Sequence, residues 1–250
     1  MDLQRGTPIA VIRSKNNKKL KNRLVYVNED EIDNPERSEM RFPNKDTKLE
    51  VLPIVSNEKQ NTRLFVSGPS GSGKSTFVRD FLRNYQKLFK GKPIYYISRL
   101  TNDPAFKDMK DMIYINAQDN DILDLTPEMF GKSLVIFDDF ECLSDKAILK
   151  HLYFLRNTLL EIGRHQYSDI IIVSHQILNN HVSKIVHLES NLVCVFPKSN
   201  FAPIQNYIKR YLGVTDKDML QKIRKLPSRW VMFRRSYPVV AVHEKGAFLL

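Results

Sequence analysis

Gly68 to Thr76 reads GPSGSGKST and puts Gly68, Gly73, Lys74 and Ser75 at the defining positions of G-x-x-x-x-G-K-[ST]. Glycines let a backbone close around phosphates so that successive N–H groups point inward. Lys74 would reach the β- and γ-phosphates and the Ser75 hydroxyl would hold Mg²⁺, with the whole run Gly68, Pro69, Ser70, Gly71, Ser72, Gly73, Lys74, Ser75 and Thr76 forming the cradle. A second stretch, SLVIFDDFE, sets Asp138 and Asp139 directly after an apolar run. There Asp138 would bind the metal through water, and Asp139 would act as general base or orient the attacking water. Asp is one methylene shorter than Glu, so Glu141 stands as the alternative base, and Asp139 by itself reads also as a turn cap. A third stretch, DIIIVSHQ, ends an apolar run in Ser174, His175 and Gln176. Gln176 can donate to a γ-phosphate and accept from a lytic water at once, while Ser174 or His175 would do part of that; the alternative is that Gln176 opens a loop.

These groups need elements to carry them. From Arg63 onward the runs RLFVS, PIYYIS, MIYIN, SLVIF, DIIIV and NLVCVF alternate with helical spacing, the pattern of a parallel sheet covered by crossover helices. RLFVS before the glycine-rich loop and FVRDFLRNYQKLF after it supply the strand–loop–helix context the motif requires. Ligands in such sheets bind at the carboxyl ends of the strands, which predicts that the loop, the acidic pair and the SHQ ending share one edge. One crossover helix is predicted with Ser144 as N-cap, Ile148, Leu152, Leu155, Leu159 and Ile162 as its inner face, and Gly163 as its stop. Two later helices, IQNYIKRYLG and TDKDMLQKIRKL, are expected to end at Gly213 and to be capped by Thr215, with RWVMFRR as the last strand. Residues 1–46 read as a partly flexible flanking segment and 47–250 as the main domain with a basic C-terminal extension; PIAVIR and KLEVLPIV are the strand candidates near the N-terminus.

The 250 residues are 42% apolar and 27% charged, a composition for an ordinary globular domain, and no run of eighteen apolar residues suggests a membrane span. Cys142 and Cys194 have no CxxC partner, so they are expected as small core residues rather than a disulfide or zinc framework. His175, His181 and His187 recur at a spacing no zinc motif uses, and a G-x-S-x-G nucleophile elbow and an N-K-x-D guanine reader are both missing. No arginine-rich lid of the kind nucleotide kinases need follows the acidic pair. The net charge of +11 is uneven: residues 198–250 carry 11 basic and 3 acidic side chains, a surplus of 8. Such a surplus reads either as a polyanion-facing surface or as a solvated basic face.

Taken in order, GPSGSGKST, LVIFDDF and GRHQYSDIIIVSHQ resemble the DNA-packaging ATPases of large double-stranded DNA viruses, the poxvirus-type branch of the FtsK/HerA superfamily, over roughly residues 47–240. The resemblance implies a RecA-like P-loop NTPase fold, ATP and Mg²⁺ as ligands, and hydrolysis coupled to moving double-stranded DNA into a capsid. It implies the acidic pair at Asp138 and Asp139 and a sensor residue at Gln176. It further implies a homo-oligomeric ring, pentamer or hexamer, in which Arg164 of one subunit completes the neighbour's site. On local chemistry alone the favoured reading of Arg164 is a helix C-terminal cation, and only the resemblance gives it the role between subunits. Sequence-independent duplex binding, capsid or membrane-associated virion partners, and a place in the host cytoplasm, a viral factory or the virion complete the implied picture. Arg229, Arg234 and Arg235 are the candidate DNA contacts, with the polar face of an edge strand as the alternative. A helicase, or a nucleotide-regulated DNA-binding or capsid-assembly switch with little turnover, would share the same core motifs.

Overall fold

Among the described residues up to position 53 lie four short strands: β1 (Thr7–Ser14), β2 (Leu24–Val27), β3 (Glu39–Arg41) and β4 (Leu49–Pro53). In the computed structural model the described residues are 1–14, 17–28, 38–41, 49–53, 61–100, 103–109, 111–178 and 180–250. The chain groups into two units, Met1–Ile54 with Asn191–Leu250, and Val55–Ser190. In the first unit β3 is the N-terminal strand that pairs with a C-terminal strand, through residues 246–248. Most of the acidic NEDEIDNPE, expected to be flexible, lies outside the described residues.

The second unit contains β5 (Arg63–Ser67), α1 (Lys74–Leu88), β6 (Ile94–Ser98), β7 (Met112–Asn116), β8 (Leu134–Asp138), α2 (Lys146–Ile162), β9 (Asp169–Ser174) and α3 (Asn180–Glu189). Its five strands are parallel in the order β5-β9-β8-β6-β7. Every residue of β8 and β9 is buried, which is why both read as unbroken apolar runs rather than alternating ones. The order matters for the site: β9 lies between the strand that launches the loop and the strand that ends in the acidic pair. Ser67 pairs with Ser174, and Val173 with Asp138, so three strand ends finish level.

Helix α1 begins at Lys74 itself and buries Phe77, Val78, Phe81, Leu82 and Tyr85, each apolar side chain stabilising the helix's seat by roughly 1.5–3 kcal/mol. Helix α2 departs from its predicted face in three ways. Asp145 rather than Ser144 is the cap, accepting from Ala147 N at 2.8 Å and Ile148 N at 3.1 Å. Ile162 is exposed, and Arg156, a charged residue, is buried beside Leu152, Leu155 and Leu159.

The first unit adds β10 (Leu192–Val195), α4 (Phe201–Tyr211), α5 (Lys217–Lys225), β11 (Val231–Arg234), β12 (Val240–His243) and β13 (Gly246–Leu249). RWVMFRR is therefore not the last strand. Strands β10 to β13, followed by β3, form an antiparallel run in the order β3-β13-β12-β11-β10, and β1 sits between β2 and β4 in a separate three-stranded sheet. Asp216, not Thr215, caps α5 by accepting from Met219 N at 2.8 Å. Cys194 is buried as expected, but Cys142 is exposed, because it sits in the turn after the acidic pair. Among the described residues no helix is long and apolar enough to cross a membrane.

Candidate active site

The loop after β5 needs backbone angles that side chains disfavour. Gly71 has φ 74° and Gly73 has φ 104°, so a Cβ at either would strain the turn that leads into α1. Gly73 is the N-cap of α1 and offers no side chain, so the first-turn N–H groups stay available to an anion. The loop is pinned to the sensor strand by Gly68 N donating to Ser174 O at 3.2 Å. Ser72 Oγ is buried with no hydrogen-bond partner, a polar group that a ligand would satisfy.

Lys74 is only 8% exposed. Its Nζ donates to Gly68 O at 2.8 Å and Pro69 O at 3.2 Å, and stands 3.5 Å from His175 Nδ1. Burial pushes the ammonium below its usual range, with Asp139 and Asp138 opposing the shift. In this arrangement carbonyl oxygens occupy the positions that phosphate oxygens would take.

Asp138 closes β8 and is buried. Burial pushes its carboxyl up to about 6, the neighbouring Asp139 adds to the rise, and hydrogen bonding from Tyr96 opposes it. Tyr96 OH donates to Asp138 Oδ2 at 2.6 Å. The next residue turns sharply: Asp139 has φ 50°, a left-handed conformation that Asp tolerates better than most residues. Its carboxylate meets His175 Nε2 at 2.8 Å.

One neutral tautomer of His175 satisfies both neighbours. Nε2–H donates to Asp139 and Nδ1 accepts from Lys74, an assignment made from the partners on either side. His175 thereby links the P-loop lysine to the acid of the Walker B strand. Gln176, the residue expected to read the γ-phosphate, is exposed, and its backbone N donates to Ser174 Oγ at 3.3 Å. Ser174 Oγ also donates to Glu141 Oε2 at 3.1 Å. Glu141 Oε1 lies 3.9 Å from the buried guanidinium of Arg156, which faces the Tyr153 ring at 4.9 Å. Burial pushes Arg156 down to about 10, and Glu141 opposes the shift. Glu141 and Asp139 thus each have a partner at the site, Ser174 and His175 respectively.

The sequence singles out His175 without its bridging role, and gives no sign of Tyr96 or Arg156 at the site. The signal for His175 was available, since a residue ending the strand between β5 and β8 has to lie between their ends. Tyr96 sits in an apolar run and reads as core, and Arg156 sits on a helix where its burial depends on neighbours from elsewhere.

The other expected residues scatter. Arg164 is exposed in the short turn Gly163–Gln166 that precedes β9, so the length of β9, six residues or ~20 Å, separates it from this chain's own loop. Arg229 is exposed and Arg235 half-buried. Arg234 is corrected as a DNA contact: it is 8% exposed, and its Nη1 donates to Ser236 O at 3.3 Å and Pro238 O at 3.4 Å. The guanidinium is spent on main-chain carbonyls inside its own unit.

Oxygen donors from Asp138 and Ser75 suit Mg²⁺, which keeps waters and takes phosphate oxygens rather than a full protein cage. Among the described residues no group of three or more His, Cys, Asp or Glu side chains is placed to hold a metal.

No protein-family profile matches the chain. It is similar to the uncharacterized protein V3 of Sputnik virophage, 29% identical over 242 residues, 92% of this chain and 91% of that protein. Its fold is that of P-loop NTPases. The genome packaging NTPase B204 from Sulfolobus turreted icosahedral virus 2, in complex with ATPγS, superposes with a TM-score of 0.51 at 15% identity, covering 76% of this chain and 99% of B204. The conjugation coupling protein TcpA of pCW3, in its monomer form with ATPγS, gives 0.52 at 12% identity over 95% of this chain and 77% of TcpA.

Proposed function

We propose that the chain is an ATP-hydrolysing motor that moves double-stranded DNA into a viral capsid. The observation that carries this reading is the level convergence of three strand ends, bringing Lys74, the Asp138–Asp139 pair and His175 into one hydrogen-bonded group. A loop with a lysine alone binds a nucleotide; the acid held against it by an imidazole adds the means to activate water. The likeness in fold to a protein described as a genome packaging NTPase, and the virophage relative, support the DNA substrate and the viral setting.

In this reading Lys74 leaves the carbonyls of Gly68 and Pro69 for the β- and γ-phosphate oxygens. Asp138 and Ser75 would hold Mg²⁺, which when bound would supply charge neutralisation at those oxygens. Asp139 accepts a proton from the attacking water as its oxygen bonds to the γ-phosphorus. The bond from that phosphorus to the bridging oxygen breaks, and ADP leaves with the electron pair. His175 orients Asp139, and Gln176 on the rim reads the γ-phosphate. Arg164 acts on the neighbouring subunit's nucleotide in a ring, which accords with its exposure and its distance from its own loop. Docking on capsid or membrane-associated virion proteins, in host cytoplasm or a viral factory, belongs to the same proposal.

The test is ATP turnover with and without duplex DNA. Stimulation by duplex supports the motor. Preference for single strands with strand separation would mark a helicase, and tight ATP binding without turnover would mark a switch.

A further inference from the structure

At the amino ends of the parallel strands, opposite the loop, a cavity of about 1000 Å³ opens between the end of α1, the residues before β6 and β8, and the turn before β9. It lies wholly within the Val55–Ser190 unit. Four lysines line it, Lys87, Lys90, Lys92 and Lys132, together with Tyr167 and Leu88. Among the described residues the only acid in its lining is Asp169, and that carboxylate is already used: Oδ1 accepts from Thr62 N at 2.6 Å, and Oδ2 accepts from Tyr85 OH at 2.5 Å and Lys92 Nζ at 2.7 Å. Lys87, Lys90 and Lys132 are exposed and line the opening, and no other acid among the described lining residues answers them.

The mounting of this rim is unusual. Lys132 has φ 55° and Tyr167 has φ 56°, a left-handed conformation that costs residues of this bulk of order 1 kcal/mol or more each. Hydrogen bonds between the two turns hold them there. Lys132 N donates to Gln166 O at 2.9 Å, while Ser133 Oγ and Ser168 Oγ both donate to Phe130 O, at 2.6 and 2.7 Å. The result is a Tyr167 side chain 60% exposed, its ring and hydroxyl presented beside the lysines instead of being folded away.

The structure assigns this cavity as a phosphate-backbone site for duplex DNA; this deepens the proposed function by naming where the polyanion is gripped. Three features select a nucleic-acid backbone. The cations among the described lining residues are lysines, point charges that meet phosphates in many orientations and so suit a backbone that is not held in one register. Tyr hydroxyls and lysine ammoniums are both common phosphate contacts and read no bases. An open cavity of this size suits a length of strand better than a single anion, for which the loop before α1 has the N–H cradle. Of the C-terminal arginines, Arg234 is turned inward and is not available to a polyanion.

The test is fluorescence anisotropy of a labelled duplex of arbitrary sequence against the full-length protein over a salt series, for wild type, Lys87→Ala/Lys90→Ala/Lys132→Ala and Tyr167→Phe. Lys92 is left in place because its loss would strand the buried Asp169. Three lost phosphate contacts should flatten the slope of log affinity against log salt by about 3 and weaken binding roughly 100-fold near 0.1 M salt. Tyr167→Phe should weaken it a few-fold with little change in slope. Melting temperatures within a few degrees of wild type report an intact fold, as expected for exposed substitutions. A triple variant that keeps wild-type affinity and slope overturns the site while leaving the motor standing. A wild type that binds no duplex even at about 50 mM salt overturns the motor as well. Competition by poly-glutamate as strong as by unlabelled duplex would assign the cavity to an acidic protein partner and overturn the nucleic-acid reading.

Discussion

The two ends of the same parallel sheet dispose of charge in opposite ways. At the carboxyl ends Lys74, Asp138 and Asp139 are drawn together, and each is answered by a partner: the Gly68 and Pro69 carbonyls, Tyr96 and His175. At the amino ends Lys87, Lys90 and Lys132 stand exposed around a cavity in whose described lining the one acid, Asp169, is already satisfied. The first arrangement belongs to a site that must hold charges in register for a reaction, where a small misplacement costs rate. The second belongs to a surface that needs only net attraction and can let a backbone slide.

The comparison breaks most visibly at Lys74. Lys74→Ala should lower turnover by at least 10²–10³-fold and abolish tight binding of a fluorescent ATP analogue, while leaving the salt slope for duplex binding at the other end unchanged. Next in size is His175. His175→Ala should lower kcat about 10–100-fold with little change in KM, because it acts by orienting Asp139 rather than by holding substrate. Gln176→Ala should cost less. A larger loss for Gln176 in steady-state kinetics would return the sensing role to the residue that sequence alone suggested.

A subtler contrast lies in stability. The Asp138 carboxyl titrates near 6 in the folded chain and near 3.8 in the free side chain, so its ionisation opposes folding. Its contribution is fully present below the unfolded value and is lost as pH rises through about 6, a swing of about 2–3 kcal/mol. Asp138→Asn should therefore raise the ligand-free melting temperature at neutral pH and remove the decline between pH ~4 and ~6, while abolishing turnover. His243, in the other unit, has the opposite sign: burial pushes its imidazole down to about 4, so its contribution is present above the usual value and is lost as pH falls toward that number. Smallest in functional effect is Arg234→Met, which should destabilise by ~1–3 kcal/mol through the two carbonyls it leaves, and leave duplex affinity within twofold.

What the sequence revealed follows from how local each determinant is. The glycine-rich loop, the start of α1 and the acidic pair depend on residues within a few positions of one another, and they stand where expected. The parallel sheet was legible because unbroken apolar runs are what two-sided burial requires. The role of His175 was not legible because its partners are 36 and 101 residues away, and only the strand order puts them within reach. Arg234 misled for a related reason: a basic residue in a basic segment reads as surface, and its burial is decided by carbonyls presented across a turn. The caps of α2 and α5 each fell one residue later than expected, since adjacent Ser144 and Asp145, or Thr215 and Asp216, compete for one position and geometry selects the carboxylate.

The central claim is that Asp139, held by His175 against the P-loop lysine, readies water for an ATP hydrolysis that duplex DNA stimulates. Steady-state turnover of wild type and Asp139→Asn, each with and without duplex, addresses it most directly, with binding of a fluorescent ATP analogue measured on the same samples. The account predicts wild-type turnover that rises on adding duplex, and a 10²–10⁴-fold lower rate in Asp139→Asn with analogue affinity retained. Unchanged turnover in Asp139→Asn, or a wild type whose rate ignores duplex DNA, would contradict it.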